Sequence, residues 1–244
     1  MIRICSDMEM LSRAAAEVFV ETAVESIRAR GRFVVALSGG QTPRRTYELL
    51  AQPDLAGRVD WSLVHLFWSD ERCVEPDDPR SSERLARRSL LDRVNLPPEQ
   101  VHPFRCQGDI EESARAYESL LIRFFASDPP RFDLILLGLG RDGHTASLFP
   151  HTVSLIEPGR WTAGVSLREE PEDRVTFSPT LINHARKVLF LVVGPEKAEV
   201  LREVLEGPLE PDRLPAQLIR PQGETLWLVD RQAAGLLQRK GDAQ

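Results

Sequence analysis

The chain has 244 residues, and its 31 lysines and arginines against 37 aspartates and glutamates give a formal net charge of −6. This acidic balance disfavours nucleic acid or an anionic membrane surface as the main partner. Hydrophobic residues make up 42% of the sequence, which is typical of a globular protein and excludes the disordered and fibrous classes. The longest apolar run, Val188–Val193, is too short for a membrane span.

Two features predict the compartment. Asp7 and Glu9 interrupt the N-terminal region in which a signal peptide has its apolar segment, so we expect a cytoplasmic protein. The cysteines Cys5, Cys73 and Cys106 are odd in number and irregularly spaced. This pattern predicts a reducing compartment, with neither a disulfide framework nor a zinc site.

Short apolar runs alternate with segments of helical period, and no linker, repeat or composition break divides the chain. We therefore expect a single domain over residues 1–244. Several runs are apolar on both faces, which predicts central strands of a parallel sheet covered by helices. The predicted strands are Phe33–Leu37, Leu63–Trp68, Phe132–Leu137, a weaker candidate at Trp161–Leu167, Val188–Val193 and Thr225–Val229.

Two of the helical segments have clear boundaries. Apolar residues from Ile110 to Phe124 recur at spacings of three and four, and Asp109 is suited to cap this helix. Pro195 stands at the first position of another helix, which Gly207 ends. The alternation of strands and helices predicts a doubly wound, Rossmann-like α/β fold, whose ligand lies beyond the carboxyl ends of the strands.

The first motif at these strand ends is a polar turn after Phe33–Leu37. Gly39 and Gly40, which follow Ser38, permit positive φ and close approach of a ligand, and Thr42 can cap the next helix. Amide groups and the helix dipole at such a turn attract a phosphate group. The turn lacks a P-loop lysine and dinucleotide-motif spacing, so it does not favour a nucleotide. An ordinary strand-to-helix turn is the alternative.

The second motif places Asp70, Glu71 and Arg72 directly after the strand that ends at Trp68. An arginine there can pair with a phosphate or carboxylate group, and Asp70 can orient a histidine or a sugar hydroxyl. A solvated loop is the alternative for these residues. Cys73 has no adjacent histidine in the sequence, so we interpret it as a small buried filler rather than a nucleophile.

The third motif follows Phe132–Leu137 and contains His144 in a glycine-rich segment. Imidazole can take a proton from water near neutral pH, which makes His144 the candidate general base. Asp142 stands two residues earlier, where it can fix the tautomer of the ring or bind a hydroxyl. The alternative is that His144 has only a structural role, with its hydrogen bonds made to other groups of the protein. The histidines without a comparable setting are His65, His102, His151 and His184.

Two further cations, Arg174 and Lys197, complete the candidate site. Lys197 falls in the first turn of the helix predicted after Pro195, where a positive charge opposes the helix dipole. This placement indicates a nearby anion, with a solvated surface lysine as the alternative. No motif has the ligand spacing of a zinc or magnesium site, so we expect no metal.

Together, the motifs resemble those of the 6-phosphogluconolactonases in order and approximate spacing. The segments that carry the resemblance are LSGGQTP, SDER, GLGRDGHTASLFP, DRVTFSPTLIN and GPEKAEVL. The resemblance implies a fold related to glucosamine-6-phosphate deaminases, no organic cofactor, and a metal-free mechanism with His144 as the catalytic base. The pocket residues that it implies are Asp70, Arg72, Arg174 and Lys197, with Ser38, Gly39, Gly40 and Thr42 holding phosphate.

The implied reaction is hydrolysis of 6-phospho-D-glucono-1,5-lactone to 6-phospho-D-gluconate in the oxidative pentose phosphate pathway. Two residues depart from the family pattern, because Gln41 stands where many members have serine and Ser82 stands where asparagine is common. Neither is the implied base, so these departures leave the reaction type intact and bear only on the shape of the pocket.

Two other functions stay open. An amino-sugar-phosphate isomerase or deaminase shares the implied fold, but the related deaminases carry a glutamate where this chain has Phe149. A non-catalytic sugar-phosphate sensor would keep the phosphate turn without needing His144 or Asp70. For the lactonase we expect a small sugar-phosphate lactone as the partner, and a monomer or weak homo-oligomer.

Overall fold

The structure is a computed structural model that describes residues 1–106, 108–126, 130–152, 156, 158–167 and 172–238. Its helices are α1 (Met8–Arg30), α2 (Gln41–Leu50), α3 (Pro53–Ala56), α4 (Ser82–Ser89), α5 (Ile110–Phe125), α6 (Pro179–Asn183) and α7 (Ala198–Glu206). Its strands are β1 (Ile2–Cys5), β2 (Phe33–Leu37), β3 (Val64–Trp68), β4 (Asp70–Arg72), β5 (Leu134–Leu137), β6 (Thr162–Val165), β7 (Arg174–Phe177), β8 (Lys187–Val192) and β9 (Glu224–Asp230). None of the described helices combines the length and apolar character that a membrane span requires.

A six-stranded parallel sheet with the order β1-β9-β8-β5-β2-β3 forms the centre of the fold. Every residue of β2 and β5 is buried, because helices and loops cover both faces of the sheet. This arrangement confirms the predicted α/β fold. The sequence-predicted strands of this sheet agree with the observed ones to within two residues at each end.

The order in which the chain adds strands to the sheet changes direction between β2 and β5. From β2 the chain continues to β3 at one edge of the sheet, whereas from β5 it continues to β8 and β9 on the other side. In open α/β sheets a crevice forms at this switch point, beyond the carboxyl ends of the two strands. The segments that follow β2 and β5 therefore face a common space.

A second, three-stranded antiparallel sheet has the order β4-β7-β6. The weaker candidate at residues 161–167 is a strand, but it is β6 of this sheet and not part of the parallel one. The interpretation of residues 70–72 as a possible loop is also wrong, because they form β4. Strands of three or four residues are too short to show a period, and their pairing depends on tertiary contacts.

Helix boundaries match the sequence in part. The side chain of Asp109 caps α5, and Gly207 follows α7, as predicted. Thr42 does not cap α2, because Gly40 with φ +92° occupies the cap position and the helix begins two residues earlier than expected. Lys197 ends a short 3₁₀ helix and holds the cap position of α7, so it precedes the first turn of that helix.

The cysteine prediction is wrong. Cys73 and Cys106 form a disulfide, with their Cα atoms 5.4 Å apart, and Cys5 is free and buried. The two cysteines are 33 positions apart, and this spacing gives no sign of the bond, since β4 and the segment before α5 meet only in the tertiary structure. Cys73 is also partly exposed rather than a buried filler. The predicted reducing compartment therefore loses its support from cysteine spacing.

Candidate active site

A cavity of about 510 Å³ opens at the carboxyl ends of β2, β5 and β8. Its volume lies in the range of small-molecule sites. The sequence-predicted site residues all contribute to its lining: Ser38, Gly39, Gly40, Thr42, Asp70, Arg72, Asp142, His144, Arg174 and Lys197. The fold thus brings together residues from five separate segments, and their individual roles stay predictions.

The centre of the cavity wall holds an Asp–His pair. Nδ1 of His144 lies 2.6 Å from Oδ1 of Asp142, which also accepts the backbone N–H of His144 at 3.2 Å. Burial alone would raise the pKa of Asp142, but the hydrogen bonds and charge of His144 outweigh it and lower that pKa. An ionised carboxylate favours a proton on Nδ1, which leaves the lone pair of Nε2 available as a base.

Glycine is required beside this pair. A Cβ atom at Gly140 would overlap Nδ1 of His144 and lie 2.5 Å from Oδ1 of Asp142. The backbone N–H of Gly140 donates to the carbonyl of His144 at 2.8 Å and closes the turn. Gly143 adopts φ +86°, a conformation that other residues rarely take. The glycine-rich segment therefore serves to fold the loop tightly around its own histidine.

Phe149 lies against the candidate base. Its ring centre is 4.4 Å from that of His144, and the Arg174 guanidinium carbon is 5.3 Å from the centre of the same phenyl ring. The phenylalanine is only 8% exposed, so it gives the imidazole an apolar neighbour on the cavity wall. The side chain at this position thus contacts the candidate base without offering a second acid or base.

Asp70 lines the same cavity but does not orient the histidine. Its Oδ2 accepts a hydrogen bond from the Ser147 hydroxyl at 2.7 Å. The backbone N–H of Ser147 donates to the hydroxyl of Thr176, the residue paired with Asp70 across β4 and β7. Asp70 therefore ties the loop after β5 to the second sheet, and of the two candidate carboxylates Asp142 is the one that contacts His144.

The cavity lining carries four cations in its described part: Arg72, Arg141, Arg174 and Lys197. Burial lowers the pKa of the Lys197 ammonium, and the positive charge of Arg141 lowers it further against the opposing effect of nearby carboxylates. Cations gathered in a half-buried space favour an anionic ligand. Arg141 was missed by the sequence analysis, although it lies inside the glycine-rich motif.

The turn after β2 forms another wall. Gly40 has the positive φ that was expected, whereas Gly39 is needed because a Cβ atom there would overlap the Ser82 hydroxyl. The backbone N–H of Ser38 donates to the buried Tyr47 hydroxyl at 3.1 Å, so this amide is already engaged in a hydrogen bond within the protein. The first turn of α2 presents further backbone N–H groups, which lack an intrahelical partner.

Glu71 is a second residue that the sequence analysis left without a role. Its carboxylate is 7% exposed and accepts the backbone N–H groups of Arg72, Ser82 and Glu83, each at 2.8 Å. These bonds join β4 to the start of α4, so they hold Ser82 against the turn after β2. The motif itself was visible in the sequence, but the burial of its middle residue was not.

His151 lacks the cavity setting of His144, as expected, but it too pairs with a carboxylate. Its Nδ1 lies 2.6 Å from Oδ2 of Asp212, which reproduces the pairing of the candidate base. The His151 side chain is 71% exposed and does not line the cavity. In the described residues, no group of three or more His, Cys, Asp and Glu side chains is placed to hold a metal ion.

A parallel α/β sheet with an Asp–His pair and clustered cations at its switch point defines an enzyme-like site for a small anionic molecule. Comparison with known proteins agrees with this class. The family described as glucosamine-6-phosphate isomerases/6-phosphogluconolactonase matches residues 6–227, and the chain belongs to this family.

Individual relatives support the assignment. The chain is 46% identical over 214 residues to a 6-phosphogluconolactonase of Synechocystis sp., which covers 86% of each chain. The structure of a 6-phosphogluconolactonase from Thermotoga maritima has a TM-score of 0.80 at 30% identity, covering 94% of this chain and 99% of that one. A monomeric glucosamine-6-phosphate deaminase has a TM-score of 0.81 at 25% identity, covering 96% and 99%. The fold alone therefore does not separate the two activities.

Proposed function

We propose that this chain hydrolyses 6-phospho-D-glucono-1,5-lactone to 6-phospho-D-gluconate in the oxidative pentose phosphate pathway. The observation that carries the proposal is the contact of His144 with Asp142 in a cavity that also contains four cations. A carboxylate-held imidazole suits activation of water, and the cations suit an anionic substrate whose product has one more negative charge. The lactonases among the relatives support the same reaction.

In this mechanism, Nε2 of His144 takes a proton from a water molecule, whose oxygen attacks the lactone carbonyl carbon. The developing oxyanion is stabilised by backbone amides or by a cation of the cavity. The imidazolium then donates its proton to the departing ring oxygen, and the ring opens to the carboxylate without a covalent enzyme intermediate. Asp142 keeps the ring in the required tautomer and stabilises its positive charge.

The phosphate group binds away from the reacting carbon. We assign it to the turn at residues 38–42 together with Arg72, which faces Arg174 across the second sheet. Binding energy at the phosphate orients the lactone toward the base, so a substrate without phosphate should lose turnover as well as affinity. Lys197 and Arg141 lie on the side of Asp142 and are assigned to the lactone carbonyl and the carboxylate product.

The deaminase is the second candidate, because one of the matching structures is a deaminase of the same fold. Phe149 argues against it here, since its apolar ring lies against His144 where the related deaminases have a glutamate. Ring opening and proton shuttling of an amino sugar need an acid or base that this side chain does not provide. A sensor without activity would not need the Asp–His pair.

A stopped assay of 6-phosphogluconate formation from freshly made lactone tests the proposal, with a blank for spontaneous hydrolysis. His144→Ala should lower turnover by roughly 10² to 10⁴, the usual contribution of a general base. His151→Asn is the matched control, because this histidine also pairs with an aspartate but lies outside the cavity. Wild-type turnover in His144→Ala above the blank would contradict the base, and no product from the wild type would contradict the reaction.

The cytoplasmic location and the monomeric or weakly associated state stay predictions. Fractionation of cells that produce the protein at native level tests the first. Light scattering at several protein concentrations tests the second.

A further inference from the structure

The disulfide lies beside the cavity, next to a cation of the candidate site. Cys73 directly follows Arg72 at the end of β4, and its backbone N–H donates to the carbonyl of Asp173 at 2.8 Å. Asp173 precedes Arg174, so this hydrogen bond joins the two strand ends that carry the facing arginines. A covalent bond at Cys73 therefore restrains the backbone at the point where both cations are held.

The other half of the bond belongs to a firmly packed segment. The ring of Phe104 stacks on that of Tyr117, with centres 3.8 Å apart. Arg105 pairs with Glu83 of α4 at 2.6 Å. Cys106 follows these two residues, so the disulfide ties β4 to a segment that is itself anchored on α5 and α4.

The stretch that the disulfide closes includes part of the cavity wall. Residues 73–106 contain α4, whose first residue, Ser82, contacts Gly39 of the phosphate turn. Arg72 immediately precedes this stretch, and its Nη1 donates at 2.8 Å to the carbonyl of Arg80, which lies two residues before Ser82. The disulfide thus closes a ring of chain that begins next to Arg72 and contains Ser82, and the hydrogen bond to Arg80 holds Arg72 against this ring.

A reductant can reach the bond. Cys106 is exposed and Cys73 is partly exposed. A cavity of about 370 Å³ adjoins both cysteines, with Gly108, Ser113 and Asp173 among its other lining residues. Exposed disulfides are the ones that exchange readily with external thiols, whereas buried structural ones resist reduction.

We propose that Cys73–Cys106 is a redox modification site through which a dithiol reductant weakens capture of the substrate phosphate. Oxidation holds Arg72 in the geometry seen here, and reduction releases the end of β4 from the segment before α5. This inference rests on the proposed function for its substrate, although the phosphate-binding effect can be measured without it.

The chemistry is thiol–disulfide exchange. A thiolate of the dithiol attacks one sulfur of the protein bond, which breaks and leaves a mixed disulfide. The second thiol of the reductant then displaces the protein sulfur and closes a disulfide in the reductant. Two electrons pass to the protein, and the two protons of the dithiol end on Cys73 and Cys106.

The experiment compares oxidised enzyme with enzyme treated with dithiothreitol and freed of excess reagent. A thiol count in denaturant should give one thiol before treatment and three after it. We expect the KM for the phosphorylated lactone to rise roughly 5-fold or more on reduction, in the range of common coupling effects. Turnover of unphosphorylated gluconolactone should not change, because that substrate does not use the phosphate contacts.

Two variants make the result specific. The double variant Cys73→Ser/Cys106→Ser should have the KM of the reduced enzyme under all conditions, and Cys5→Ser should respond like the wild type. Equal KM values in the oxidised and the reduced enzyme, each verified by its thiol count, would overturn the proposal. A protein that keeps three thiols after treatment with a disulfide oxidant would also overturn it, because the bond then does not form.

A chain without lactonase activity in either form would contradict the proposed function rather than this site. In that case titration calorimetry with inorganic phosphate, carried out on the oxidised and the reduced protein, tests the redox site directly. Weaker phosphate binding after reduction supports the redox site, and equal binding in both forms overturns it.

Discussion

Arg72 and Arg174 are direct cross-strand partners in the antiparallel pair of β4 and β7. Both side chains line the cavity, so the short second sheet places two arginines at one wall of the candidate site. Guanidinium groups form charge-assisted hydrogen bonds with phosphate oxygens. The cross-strand pair therefore supports the proposal that the substrate phosphate binds at this wall.

This relationship predicts that Arg72→Gln weakens substrate binding with little effect on stability. We expect kcat/KM for the phosphorylated lactone to fall by about 10- to 100-fold, because charge-assisted bonds to phosphate are lost. The melting temperature without ligand should change little, because Arg72 is partly exposed and ends a strand of three residues. Steady-state kinetics and calorimetric melting measure the two effects.

Arg80→Gln is a control for Arg72→Gln, because Arg80 keeps its backbone carbonyl contact with Arg72 while its own side chain lies half exposed. This variant should keep its kcat/KM. A parallel loss of stability and activity in Arg72→Gln would mean that the arginine serves the fold rather than the phosphate.

A second prediction concerns Gly140→Ala. The added Cβ atom would overlap Nδ1 of His144, so the imidazole must rotate away from Asp142. We expect kcat to fall by roughly 10- to 100-fold with little change in KM, since misplacement of a catalytic group by about 1 Å has such an effect. Steady-state kinetics on the purified variant measure kcat and KM separately.

Gly235→Ala is the matched control, because a Cβ atom at Gly235 meets no other atom within 4 Å. Unchanged kcat in Gly140→Ala, with a folded circular-dichroism spectrum, would show that the Asp–His contact is not needed for turnover.

The parallel sheet was predictable because β2, β5 and β8 are long enough, and apolar enough on both faces, to stand out in the sequence. The site could be located because polar and glycine residues follow these strands, and the family resemblance then supplied its roles. The short strands β4 and β7 could not be predicted, since three or four residues show no period and their pairing arises only from tertiary contacts. The disulfide was hidden for a similar reason.

Roles within the site depended on details that sequence spacing cannot give. Asp70 and Asp142 were equivalent candidates, and only the geometry pairs Asp142 with the imidazole and Asp70 with Ser147. Nothing in its sequence position distinguishes Arg141 from an ordinary loop residue, and only the fold brings its charge close enough to Lys197 to lower the pKa of that lysine. Burial and long-range contact decide these cases, and neither has a local signature.

The third prediction concerns metals and the competing activity. The mechanism assigns water activation to His144, so full lactonase activity should remain after exhaustive EDTA treatment and gel filtration. The same preparation should release no ammonia from glucosamine 6-phosphate, because Phe149 lies against the imidazole where the related deaminases have a glutamate. Activity lost with EDTA and restored by a divalent ion would contradict the mechanism, and ammonia release at a comparable rate would favour the deaminase.

The last prediction concerns acid stability and depends on a pair of half-buried histidines. Nδ1 of His65 lies 3.2 Å from Nε2 of His102. Burial, together with the charge of His65, lowers the pKa of His102 to about 4. An unfolded histidine titrates near ~6.5, so between that pH and about 4 the unfolded chain binds more protons than the folded one. The free energy of unfolding must therefore fall as the pH falls through this window, by roughly 1 to 3 kcal/mol after allowance for partial exposure.

Urea unfolding at pH 7 and pH 4.5 measures this loss, and His102→Phe should reduce it, because a phenyl ring fits beside Phe67 and Phe124 and takes up no proton. Carboxylates that titrate in the same window contribute equally to wild type and variant, so the difference between the two isolates the histidine. His151→Asn should keep the wild-type dependence, since that histidine is 71% exposed. The same loss of stability in His102→Phe as in the wild type would mean that the buried pair accepts protons as readily as the unfolded chain does.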